Sequence, residues 1–256
     1  MGLKFKVDRA KFVNRILVPS SKMNPMVELT LDTDGTMYSI TRMESGTHSC
    51  QLVLYAEFDV DVVERDPENV GPVRMNLGDV RKLVSALSQI QDDEVVLEYD
   101  GTAILYKSPA LSFRFSVLID DVMEKKTVSK KAISKWKTLT EFTLESEILK
   151  KFLAISGCMS NCDKVYLSTG KNGVKCLHMD RDSGSSDMID MIVAETFTGE
   201  PLDANDGVIF SEEVFRFVVA NRFDSCQVCI TDIGTITFTI SDGGYRLKYI
   251  ATKRVK

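Results

Sequence analysis

The chain has 256 residues, 44% of them hydrophobic, with a formal net charge of −5. That is enough apolar content to fill the core of one large domain or two ordinary ones. No stretch approaches the ~20 apolar residues of a membrane span, MGLKFKVDRAKF lacks the apolar centre of a signal peptide, and the acidic balance argues against a nucleic-acid binder unless the basic residues gather on one face.

Residues 4–7 are expected as a strand. Asp8 then caps a helix through DRAKFVNRILV, where Phe12, Val13, Ile16 and Leu17 share one apolar face. Asp8, Lys11 and Arg15 take the opposite face, with Arg9 flanking. Pro19 and Ser20 are expected to stop this helix. MVELTLD, TMYSITR and HSCQLVLYAEF read as three strands, the first two turning at Gly35. VERDPENVGP is expected as an acidic loop. Residues 73–77 form the next strand, and Gly78-Asp79 opens a second helix, DVRKLVSALSQ. Its stripe is Val80, Leu83, Val84 and Leu87; Arg81 and Lys82 lie off it. EVVLEYDGTAILYKSPALSFRFSV gives three more strands.

The stretch 118–139, LIDDVMEKKTVSKKAISKWKTL, is polar and lysine-rich, without strand alternation. It reads as a connector, because the order of elements then repeats. Residues 141–143 start a strand, and LESEILKKFLAISGC is a helix. Ile148, Leu149, Phe152 and Leu153 face inward, Lys150 and Lys151 face away, and Gly157 suits the end. DKVYLSTGKNGVKCLHMD is a hairpin, DMIDMIVAETF a third strand and TGEPLDANDG an acidic loop. GVIF and SEEVFRFVVAN repeat strand and helix. Val214, Phe217 and Val218 form the apolar set of this fourth helix, but Phe215 leaves its orientation open. CQVCITDIGTITFTISDGGYRLKYIA supplies the closing strands.

Six cysteines in a chain of this length do not make a disulfide scaffold. Cys226 and Cys229 sit in a strand, where positions i and i+3 point to opposite faces and cannot share a metal. They read as small buried hydrophobes, and so do Cys158 and Cys162 around a helix end. His48 and His178 are the two histidines, and neither has nucleophile or metal-ligand spacing. No catalytic residue, metal site or cofactor is expected.

All four helices carry basic residues outside the apolar stripe: Arg9, Lys11 and Arg15; Arg81 and Lys82; Lys150 and Lys151; Arg216 and Arg222. On any one helix solvated charge is the better reading of them. In four matched helices they predict a basic surface that meets phosphates without reading sequence, with strong salt dependence.

Local segments then point to a family. MESGTHSCQLVL resembles the methionine-aspartate-serine-serine-histidine stretch before a strand in eukaryotic sliding clamps. KNGVKCLHMD resembles their DGVKF hairpin, and KYIATK their tyrosine-leucine-alanine-proline-lysine ending. In order and spacing the chain resembles DNA sliding clamps of the proliferating cell nuclear antigen and T-even phage types. The resemblance implies an α+β fold of two similar clamp domains, 1–117 and 140–256, joined by connector 118–139. Antiparallel sheets would lie outside, with helices lining one inner face.

It further implies a homotrimeric ring around double-stranded DNA, closed by pairing of 111–117 with 187–193 of the next subunit. Such a ring does no chemistry. It tethers DNA polymerase, works with a clamp loader, and binds other replication proteins through short peptide motifs, in the cytoplasm or nucleus. The matching peptide-pocket positions are Met43, His48, Val122, Met123, Tyr249, Ile250 and Ala251; ordinary strand and core packing is the other reading of them. The connector departs from the eukaryotic pattern with six lysines and Trp136, and Thr252 replaces the tail proline. That departure suits a phage or other viral clamp. A monomeric or dimeric viral processivity factor and a non-DNA adaptor stand as alternatives.

Overall fold

The computed structural model describes residues 2–43, 52–68, 70–119, 133, 135–158, 164–179, 188–203 and 208–252. They fall into two units. The first is Met1–Glu44, Leu54–Thr127 and Gly243–Leu247; the second is Ser45–Val53, Val128–Asp242 and Lys248–Lys256.

Strand β1 of the first unit, Leu3–Asp8, alternates, burying Leu3, Phe5 and Val7. Lys4 and Lys6 point outward. They pair with Glu64 at 2.6 Å, and with Asp61 and Glu94 at 3.2 Å each. Glu64 belongs to the stretch expected as a loop. Asp61–Arg65 is instead strand β5, antiparallel to β1 with Phe5 opposite Val62. Cross-strand charge pairing favours this edge despite its exposed, turn-rich sequence.

Helix α1 runs end to end through three segments, Arg9–Lys11, Phe12–Leu17 and Val18–Met23. The Asp8 carboxylate accepts from the Lys11 amide at 3.0 Å as cap. Phe12, Val13, Ile16 and Leu17 are all buried. Pro19 and Ser20 do not end the helix. Its middle segment is π-helical, and the Val18 amide reaches back five residues to the Val13 carbonyl. The wider ladder passes over Pro19, which has no N–H to give. The Ser20 hydroxyl donates to the Ile16 carbonyl at 2.8 Å, and the chain turns extended at Asn24.

Strands β2 (Val27–Leu31) and β3 (Thr36–Arg42) form a hairpin around Gly35, whose φ is 86°. Next come β4 (Leu52–Asp59), β6 (Val73–Leu77), helix α2 (Val80–Leu87), β7 (Glu94–Tyr99), β8 (Ala103–Lys107) and β9 (Ser112–Leu118). Val80, Leu83 and Leu87 of α2 are buried and Val84 is half-buried. Helices α1 and α2 pack against each other. The strand order is β4-β3-β2-β6-β9-β8-β7-β1-β5.

The second unit has β10 (Thr138–Glu145), α3 (Ser146–Ser156), β11 (Lys164–Gly170), β12 (Gly173–His178), β13 (Ile189–Ala194), β14 (Thr198–Gly199), β15 (Val208–Ser211), α4 (Glu212–Val219), β16 (Ser225–Thr231), β17 (Thr235–Asp242) and β18 (Tyr245–Thr252). Thr198–Gly199, expected within a loop, pairs with β10 as a two-residue strand. The α4 register is now defined. Val214, Phe215 and Val218 are buried, whereas Phe217 is half-buried. Phe215 is drawn in because its ring meets Phe152 of α3 at 6.1 Å and Phe238 of β17 at 5.4 Å. Gly157 does cap α3, but in right-handed geometry (φ −61°), so its conformational freedom is not used. The expected connector begins inside β9 and ends inside β10. Most of it lies outside the described residues.

Strand order shows the duplication that periodicity could only suggest. The first unit contains β5-β1-β7-β8-β9 and β6-β2-β3-β4; the second contains β14-β10-β16-β17-β18 and β15-β11-β12-β13. Each strand has its counterpart, down to the short edge strands β5 and β14. Among the described residues each unit also packs a pair of helices together. This is a twofold α+β architecture of antiparallel sheets and helix pairs.

Candidate nucleic-acid interface

The nine basic residues divide by what holds them. On α1, Arg9 is half-buried and its Nε donates to the Asp92 carbonyl at 2.8 Å. Lys11 is exposed, 3.7 Å from the Asp8 carboxylate, and reaches the Gly243 carbonyl at 3.4 Å. The Arg15 guanidinium lies over the Tyr245 ring, 5.3 Å from its centroid. On α2, Arg81 grips Asp79 with two nitrogens at 2.8 and 3.2 Å. That side-chain bond holds the Asp79 carboxyl below the usual carboxylate range and raises the guanidinium. Lys82 is exposed and forms no ion pair among the described residues.

On α3, Lys150 pairs with Glu147 at 2.6 Å, and Lys151 is exposed with no ion pair among the described residues. On α4, Arg216 is 58% exposed and 2.8 Å from Glu212. Arg222 is exposed but lies beyond the end of α4 rather than on it. The structure therefore brings helix-borne cations to the surface of each unit. It also shows what sequence reasoning missed, which is that Asp8, Asp79, Glu147 and Glu212 hold four of them. The signal was present as acid-to-base spacings of two to four residues.

Of the expected peptide-pocket residues, Met43 is half-buried just past β3, and His48, Val122 and Met123 lie outside the described residues. Tyr249, Ile250 and Ala251 on β18 are buried, at 1%, 3% and 0% exposure. The Tyr249 hydroxyl accepts from Asn221 Nδ2 at 2.7 Å, and burial pushes its ionisation up.

Cys226 is buried and Cys229 half-buried three positions along β16, both as free thiols. Burial pushes the Cys226 thiol up to about 12 and raises Cys229 as well. Among the described residues no three His, Cys, Asp or Glu side chains could hold a metal ion. His178 is fully buried, with Nε2 3.7 Å from Glu212. Among the described residues no helix is long and apolar enough to cross a membrane.

Among the described residues β5, β14, β15 and β13 end their sheets, and β9 is open along part of its length. β13 ends its four-stranded sheet, bonded only to β12 among the described residues, with Met188 and Ile192 exposed beside it and on it. β9 pairs along its length with β8, but with β6 only at Val117 and Leu118.

No protein-family model matches the sequence. No curated protein matches it either. Solved structures do match. Proliferating cellular nuclear antigen from Entamoeba histolytica is 12% identical, with a TM-score of 0.72 and 99% of each chain covered. A. fulgidus PCNA bound to the C-terminal region of FEN-1 is 13% identical, with a TM-score of 0.69 and the same coverage. The PCNA2–PCNA3 complex from Sulfolobus tokodaii gives 10% identity, a TM-score of 0.62 and 100% of each chain covered. Identity this low carries fold alone, and coverage includes both units: over its whole length the chain has the DNA sliding clamp fold.

Proposed function

We propose that this chain is a DNA sliding clamp, a processivity factor that tethers a polymerase to duplex DNA without doing chemistry itself. One observation carries the reading. The clamp topology is present twice, and each copy packs a helix pair with exposed cations on it. Cations that face phosphate without a base-reading motif suit a protein that must hold every sequence and stop at none. The domains are 1–117 and 140–256, with 118–139 between them.

The ring is a homotrimer. The edges of β9 and β13 are the strands a second copy would complete, since an open edge is a template for pairing. A clamp loader opens the ring, and replication proteins dock by short peptides at Met43, His48, Val122, Met123 and the β18 segment 249–251. The lysine-rich connector with Trp136 suits a viral or phage replication system acting in the cytoplasm or nucleus of its host.

The test is native mass by light scattering, followed by retention on circular DNA across salt concentrations. The clamp reading expects three times 28.6 kDa and retention that falls as salt rises. A monomer at every concentration would sink the trimer and leave a processivity factor that does not encircle DNA. A non-DNA adaptor is favoured by one observation, the pairing of four basic residues with acids on their own helices. Absence of DNA binding at low salt would choose it.

A further inference from the structure

Every helix of the candidate interface opens with a carboxylate that holds one of its basic residues. The distances are 3.7 Å for Asp8–Lys11, 2.8 Å for Asp79–Arg81, 2.6 Å for Glu147–Lys150 and 2.8 Å for Glu212–Arg216. The sequence separations are three, two, three and four, so the pairs are not copies of one duplicated motif. A carboxylate in the first turn is favoured by the helix dipole alone. The dipole does not ask for a basic partner in reach, yet all four have one. Lys82 and Lys151 are left without an ion pair among the described residues, one in each unit.

We propose that Asp79 and Glu147 attenuate the grip on DNA, by keeping Arg81 and Lys150 in competition between a carboxylate and the phosphate backbone. The inference rests on the clamp reading and adds a regulating element to it. The Lys150–Glu147 pair is exposed on both sides, at 53% and 82%, and in the other pair Arg81 is 63% accessible against a half-buried Asp79 at 29%. Exposed pairs are individually weak, so a passing phosphate can displace the carboxylate and be displaced in turn. Rapid exchange of this kind lets a basic surface move along a polyanion instead of fixing to it. Asp79 and Glu147 suit a test because each can lose its charge while its local place in the helix is kept. Asp79 accepts the Arg81 amide as cap, a role asparagine also fills, and Glu147 is an exposed first-turn residue.

The experiment measures binding of the full chain to a blunt duplex of mixed sequence, by fluorescence anisotropy at several salt concentrations. Wild type is compared with Asp79→Asn, Glu147→Gln, and a charge-matched control, Glu68→Gln, at an exposed carboxylate off the helices. Each helix variant should bind several-fold tighter at low salt. Its slope of log K against log salt should steepen by about 0.9 for each freed cation that reaches a phosphate. Adding Arg81→Ala to Asp79→Asn should erase the gain. If wild type binds and the helix variants match it, the attenuation is wrong and the clamp reading survives. Attenuation is also wrong if Glu68→Gln tightens binding equally, since net charge would then be the cause. If wild type does not bind at low salt, both fail together.

Discussion

The Glu212 carboxylate accepts the Ser156 hydroxyl at 2.8 Å, joining α4 to α3 beneath the surface of the second unit. The same carboxylate takes Arg216 at 2.8 Å and lies 3.7 Å from His178. It is 8% exposed, so its oxygens are satisfied by these partners more than by water. Glu212→Ala would strip the buried hydroxyl and the arginine of their acceptor. The expected loss is about 3 kcal/mol, read by urea unfolding. A loss within ~0.5 kcal/mol would mean the carboxylate is dispensable to the helix pair.

Gly173, at the β11–β12 turn, has φ of 102°, and a Cβ there would run into the Ala194 carbonyl oxygen. Gly173→Ala thus meets backbone strain and a backbone clash together. It should lower stability by about 3 kcal/mol or more. Gly101, also left-handed (φ 95°) but with open space around it, supplies the comparison. Gly101→Ala carries the strain without the clash and should cost less. Equal losses in thermal unfolding would show that the Ala194 contact relaxes away.

Asp100 governs part of the acid stability. Its carboxylate accepts the Thr102 amide, the Thr102 hydroxyl and the Arg114 guanidinium, at 2.8, 2.8 and 2.7 Å. These bonds hold its carboxyl well below the usual range, with the Thr102 amide the largest cause. A folded-state value below the unfolded one gives stability that is present above about pH 4 and is lost as pH falls toward the folded value. The melting temperature of Asp100→Asn should therefore fall less than that of wild type between about pH 5 and pH 2. Parallel curves would exclude Asp100 as a contributor.

Thiol reactivity should follow burial. Cys158 is exposed, Cys176 and Cys226 are buried, and burial pushes the Cys226 thiol up to about 12. At neutral pH the native protein should be alkylated at Cys158, with Cys176 and Cys226 labelled only after denaturation. Peptide mass spectrometry reads the sites. Fast native labelling of Cys226 would show that β16 opens readily.

Of the nine basic residues, Lys82 and Lys151 are exposed on helices and have no competing ion pair among the described residues. Lys82→Glu with Lys151→Glu should weaken DNA binding at every sequence tested and flatten the salt slope by about 0.9 per lost contact. Folding should be unaffected, since both side chains are solvated. Unchanged DNA binding would move the interface away from α2 and α3.

The sequence alone determined the order of the helices and longer strands, the inward stripe of α1 and most of that of α2, and the repetition of one half by the other. Those are local properties. Side-chain periodicity is set by backbone geometry, so Phe12, Val13, Ile16 and Leu17 had to share a face whatever they packed against. Tertiary structure decided the rest. Pro19 reads as a stop, but a buried apolar face on both sides of it favoured a widened π-helical ladder over a break. Residues 63–65 of β5 read as a loop until Lys4 and Lys6 arrive from a strand some sixty residues away in sequence. Phe215 and Phe217 are alike in composition and neighbourhood, and the rings of Phe152 and Phe238 chose between them. The basic residues were legible as a set, yet their availability was not, because a count of lysines and arginines carries no information about which of them a nearby carboxylate already holds.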